Sequence, residues 1–81
     1  MKEVYRFTAS WCGPCKSMAK TLENIDTDKL VYVIDIDEQP EKAKQYGIRG
    51  VPTLVMVDGE KEIARIVGLK PESELREWLN Q

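Results

Sequence analysis

Residues 11–15 read Trp11-Cys12-Gly13-Pro14-Cys15 and hold both cysteines of the chain. Before them lies a strand-forming run, Val4 to Ala9; after them the spacing turns helical. Pro14 suits a first helical turn, where the missing N–H has no intrahelical acceptor to lose. The pair therefore falls on a strand-to-helix turn. Unpaired first-turn N–H groups and the helix dipole favour negative charge there. Since the thiolate is the reactive form of cysteine, such a position activates it: free cysteine titrates near ~8.5, and cysteines in such sites at roughly 3.5–7.5. Cys12, at or just before the helix start and partly exposed, is the expected nucleophile. Cys15, a turn deeper, is placed to attack a mixed disulfide, which is dithiol–disulfide exchange.

Two other readings of the pair are weaker. Tetrahedral zinc wants four ligands, and the chain has no histidine and no further cysteine. A structural staple across so short a loop removes little chain entropy.

Working outward, Val4, Tyr5, Phe7 and Thr8 are strand formers, with Arg6 on the face shared by Val4 and Thr8. From Pro14 a helix is expected to about Ile25, with Cys15, Met18, Leu22 and Ile25 on one stripe and Lys16, Lys20, Glu23 and Asn24 pointing away. Asp26-Thr27-Asp28 reads as a turn. Leu30 to Ile36 is an apolar run that suggests a strand buried in a parallel sheet, completing a right-handed βαβ unit. A short helix is expected over Glu41 to Tyr46, with Gly47 at the position that stops it. Thr53 to Val57 and Lys61 to Val67 read as antiparallel strands joined at Asp58-Gly59. Gly68 breaks the last strand and Pro71 opens a final helix, with Leu75, Trp78 and Leu79 inward. The order β-α-β-α-β-β-α predicts an α/β fold, a four-stranded mixed sheet flanked by helices, in one domain over residues 1–81.

Composition fits this: 42% hydrophobic and 32% charged residues with a net charge of −2 suit a small globular domain. No basic block points to nucleic acid, and no apolar stretch approaches membrane-spanning length. Met1-Lys2-Glu3 leads straight into a strand-like run rather than a signal peptide. A cytoplasmic monomer is the expectation.

Three stretches together resemble the thioredoxin family: Trp11-Cys12-Gly13-Pro14-Cys15-Lys16, Tyr46-Gly47-Ile48-Arg49-Gly50-Val51-Pro52-Thr53-Leu54, and the late Gly68. The resemblance spans essentially the whole chain. It implies a minimal thioredoxin fold and a protein disulfide reductase, with Cys12 attacking and Cys15 resolving. It implies no metal or organic cofactor, only the dithiol. It also implies that Pro52 follows a cis bond and faces the cysteines, and that substrate pairs with the backbone at Val51, flanked by Trp11, Gly50 and Gly68. The electron donor it implies is a thioredoxin-reductase-type flavoprotein.

The sequence departs from the family in two ways. The chain begins at the strand that precedes the active site, a layout shared with glutaredoxins, so residues 30–36 are expected at a sheet edge with unpaired backbone groups. Tyr32 and Asp35, or a partner, would guard that edge. Arg6 and Val33 stand where thioredoxins carry a buried aspartate and its accompanying lysine, Thr8 replaces a tryptophan, and Lys20 replaces a helix-kinking proline. Arg6 either favours the Cys12 thiolate as a nearby cation or snorkels to the uncovered sheet face. Lys16 is a further candidate modulator, and Asp35 a candidate proton acceptor.

Two competing functions follow. A glutathione-recharged, glutaredoxin-like reductase is favoured by the short layout. It is opposed by Gly13-Pro14 between the cysteines and by Val67-Gly68-Leu69-Lys70, which lacks a Gly-Gly-Asp glutathione site. A docking module for a partner enzyme would use the groove and not the thiols.

Overall fold

Alternation along Lys2–Thr8, the first strand (β1), sorts its side chains onto two faces. Val4 faces one core and Phe7 the other. The computed structural model describes residues 1–81. After β1 come α1 (Gly13–Leu22), β2 (Leu30–Asp35), α2 (Pro40–Gln45), β3 (Thr53–Asp58), β4 (Lys61–Val67) and α3 (Glu72–Leu79). The sheet runs β2-β1-β3-β4, with β1 parallel to β2 and antiparallel to β3, and β3 antiparallel to β4. On one face Met18 and Ile25 join Leu75 and Leu79 of α3 over Val4, Leu54, Met56 and Ile66, with Trp78 packed at the margin. On the other, Ala43 and Tyr46 cover Phe7, Ile34, Val55 and Val57.

The expected element order and mixed sheet are present. Two expectations need correction. The first helix ends at Leu22 rather than about Ile25. Past Leu22 the chain tightens: the Asn24 and Ile25 amides donate to the carbonyls three residues back, Thr21 and Leu22, so Ile25 enters the core from a turn. The second strand lies at the sheet edge, but its apolar run is not buried. Leu30, Val31, Tyr32 and Val33 are exposed, Val33 at 56%, and only Ile34 is buried. A parallel strand is buried on both faces only where elements cover it, and none lies over Val31 and Val33.

The return of the chain toward the site is set at the end of α2. Gly47 has φ +62, a left-handed backbone that glycine adopts without a Cβ penalty. The Ile48 amide bonds the Ala43 carbonyl (2.9 Å) and the Gly47 amide that of Lys44 (3.1 Å), a Schellman stop. Arg65 of β4 then ties this end to the sheet. Its guanidinium donates to the Tyr46 carbonyl (2.6 Å) and to both carboxylate oxygens of Glu62 (2.7 Å each). The hydrogen bond from Arg65 lowers the Glu62 pKa, and the same bond raises that of Arg65.

Because the folded-state pKa of Glu62 is depressed, its contribution is complete above the unfolded glutamate value near ~4.3 and is lost as pH falls through the folded value. Glu62→Gln should therefore lower stability by about 1 kcal/mol at neutral pH, as expected for a partly exposed charged pair. The difference should close in acid. Urea midpoints of both proteins at neutral pH and well below the folded pKa check this.

Candidate functional site

The disulfide sits where the end of β1 meets the start of α1. Cys12 is the N-cap of α1, with extended dihedrals (φ −93, ψ 108), and its Sγ accepts the Cys15 amide at 3.1 Å. Capping oxygens from Ser, Thr, Asp or Asn normally occupy that position; here sulfur does. Pro14 lies in the first turn, after Gly13. Cys12 and Cys15 are joined as a disulfide, Cα atoms 5.3 Å apart. Cys15 is 1% exposed. Cys12 is 4% exposed, so the expectation of a partly exposed nucleophile is corrected: the two cysteines form a cluster with Ala9 against which Ile36 and Val51 pack.

The second stretch closes over the sulfurs from the far side. The Val51–Pro52 bond is cis. Cys12 Sγ lies 3.7 Å from the Val51 carbonyl, which on reduction becomes an acceptor within reach of the thiol proton. Neither the amide nor the carbonyl of Val51 is used by another backbone group. The Gly50 carbonyl is held by the Thr53 hydroxyl (2.8 Å). The Gly68 amide donates to the Pro52 carbonyl (2.9 Å), bringing the β4–α3 loop beside the proline. A Cβ on Gly68 would meet nothing within 4 Å, so its φ of +87, rather than lack of room, calls for glycine.

Trp11 is 68% exposed, which favours a contact surface over a core anchor. Its indole N–H donates to Asp37 Oδ2 at 2.9 Å. Asp37 is absent from the residues singled out in the sequence; the only signal was an acidic residue just past the second strand.

A thioredoxin family model matches residues 2–81. The chain belongs to the thioredoxin family. It is 43% identical over 79 residues to the thioredoxin of Bacillus subtilis, covering 93% of this chain and 76% of that one. With the thioredoxin of Chlamydia caviae it shares 40% over 78 residues at the same coverages. A solved thioredoxin variant from Halobacterium salinarum superposes with a TM-score of 0.88 at 38% identity, over 96% of this chain and 71% of that one. With the Cys12–Cys15 pair in place, the chain is a thiol–disulfide oxidoreductase.

Two of the chain's departures from the family, Arg6 and Thr8, lie beside Cys15. A shallow cleft there is lined by Arg6, Thr8, Ala9, Ser10, Cys15, Lys16, Ala19 and Asp35; Cys12 is not among them. Arg6 also walls an adjoining apolar cleft formed by Ala19, Leu22, Ile25, Val31 and Val33. It makes no ion pair, and burial lowers its pKa from the ordinary value. Asp35, the candidate proton acceptor, already accepts the Asp37 and Glu38 amides (2.8 and 3.2 Å) through Oδ1. No helix is long and apolar enough to cross a membrane.

The Trp11–Asp37 bond is exposed, so Asp37→Ala should change stability by no more than about 1 kcal/mol. The Trp11 indole N–H should then exchange at the rate of free indole, read by NMR.

Proposed function

We propose that this thioredoxin reduces protein disulfides in the cytoplasm, acting as a single-domain monomer with Cys12 attacking and Cys15 resolving. The observation that carries the assignment of roles is that Cys12 sulfur caps α1 and faces Val51, while Cys15 lies within the helix behind it. In the reduced form the unsatisfied amides of the first turn stabilise a Cys12 thiolate. That thiolate attacks one sulfur of a substrate disulfide, and the other substrate sulfur leaves as a thiolate. Cys15, deprotonated, then attacks Cys12 Sγ. The Cys12–Cys15 bond forms, the second substrate sulfur leaves, and two electrons have passed to the substrate.

The unspent amide and carbonyl of Val51 suit an extended substrate segment laid across Gly50, Val51 and Pro52, in the manner of an added strand. Trp11 on one side and Gly68 on the other would bound it. A flavoprotein reductase of the thioredoxin-reductase type is the proposed source of electrons, because Gly13-Pro14 lies between the cysteines and the Gly68 loop carries no acid for glutathione.

The test is turnover of a protein disulfide, run once with NADPH and thioredoxin reductase and once with glutathione and its reductase. Turnover is expected in the first system, and turnover confined to the second would transfer the donor role to glutathione. Cys12→Ser should abolish turnover, whereas Cys15→Ser should stop at a trapped mixed disulfide seen by mass spectrometry. Cellular function retained by the double Cys12→Ser, Cys15→Ser variant would instead favour a docking role.

A further inference from the structure

The resolving step sets an electrostatic problem that this chain meets with an unusual residue. Once Cys12 is bonded to substrate, Cys15 is the one remaining thiol, and it must lose its proton to attack. It is buried, and burial in apolar surroundings raises a thiol pKa. The charged groups lining its cleft are Arg6 from β1, Lys16 from α1 and Asp35 from β2. From the remaining sides Ala9, Ile36 and Val51 bring no charge. Lys16 is exposed, so water screens it. Asp35 lines the cleft with one oxygen, Oδ1, held by the Asp37 and Glu38 amides, and makes no ion pair with Arg6. Arg6 is half-buried and has no carboxylate partner. A guanidinium stays protonated even when partly desolvated.

Resting on the reading of Cys15 as the resolving thiol, we infer that Arg6 is a positioning residue for that step: its fixed charge lowers the pKa of Cys15 in the mixed disulfide, and the proton leaves through the open cleft to water. Arg6 acts on Cys15 more than on Cys12, because it shares the cleft of Cys15 and not the Val51 side of the site. The bond changes are those of ordinary exchange. Cys15 S–H gives its proton to solvent, its electron pair forms the bond to Cys12 Sγ, and the substrate sulfur departs with the electrons of the broken bond.

The size of the effect can be bounded. A nearby opposite charge moves a pKa by about one unit or more. One unit is tenfold in thiolate fraction at pH below the midpoint. A thiolate of lower pKa is also a weaker nucleophile, by about threefold per unit. The net gain near neutral pH is about threefold, and above both midpoints the order reverses. A purely structural role for Arg6 would not make the two pH profiles cross.

The experiment uses reduced protein in excess over dithionitrobenzoate, whose released thiolate is coloured. The first release reports Cys12 attack and depends on concentration; the second reports Cys15 resolution and does not. Arg6→Met should move the midpoint of the second release upward by about one unit, with at most half that shift in the first. It should slow the second release about threefold at neutral pH and exceed wild type in alkali, while Arg6→Lys should stay near wild type. Arg6→Gln serves in the same assay if Arg6→Met fails to fold. An unmoved second midpoint, or equal shifts in both releases, overturns the inference. The Cys15→Ser variant should show the first release alone; a concentration-independent second release from it would overturn the assignment of Cys15 itself, a separate failure.

Discussion

The contact on which the site depends is the one from the Cys15 amide to Cys12 sulfur. It makes the nucleophile the cap of its own helix, so the group that must become negative already sits where a helix best tolerates negative charge. The geometry demands a strand that ends directly at a helix start, and β1 supplies it. The Cys12 amide in turn reaches back to the Ala9 carbonyl (3.2 Å), closing the turn. Packing holds that helix in place: Met18, fully buried, anchors α1 to the sheet through the same core that seats α3.

Around this cap the other elements act as walls. The Schellman stop after α2 brings the chain to Gly50-Val51-Pro52, and Arg65 fixes the same helix end to β4. The Gly68 amide joins the Pro52 carbonyl from the other side. Three segments distant in sequence therefore meet at one pair of sulfurs. The amide and carbonyl of Val51 have no backbone partner, while the Gly50 and Pro52 carbonyls on either side of it are bonded.

Much of this was legible in the residues. Strand formers beside a helix-starting proline place the cysteines on a turn, and Asp58-Gly59 marks the hairpin. Periodicity picks out Met18, Leu75 and Leu79 as core. What escaped has physical causes. An apolar run such as Leu30 to Ile34 reads alike whether or not another element covers it, so its exposure was not visible. The buried position of Ile25 extended the apparent helical stripe past a turn that tightens at Leu22. Asp37 carries no local signature, since its partner Trp11 lies 26 positions away.

The sequence by itself determined the chemistry: two thiols at a helix start, in a chain without histidine or further cysteine, leave thiol exchange as the reaction that spacing best serves. It also determined the order of elements, because hydrophobic period and turn residues act locally. Only the tertiary structure decided that Cys12 is itself enclosed, that Arg6 faces the cleft of Cys15, and that Val51 comes within reach of Cys12. Those relations depend on which surfaces the packed sheet brings together, and burial and electrostatic proximity are properties of the packed arrangement rather than of neighbouring positions along the chain.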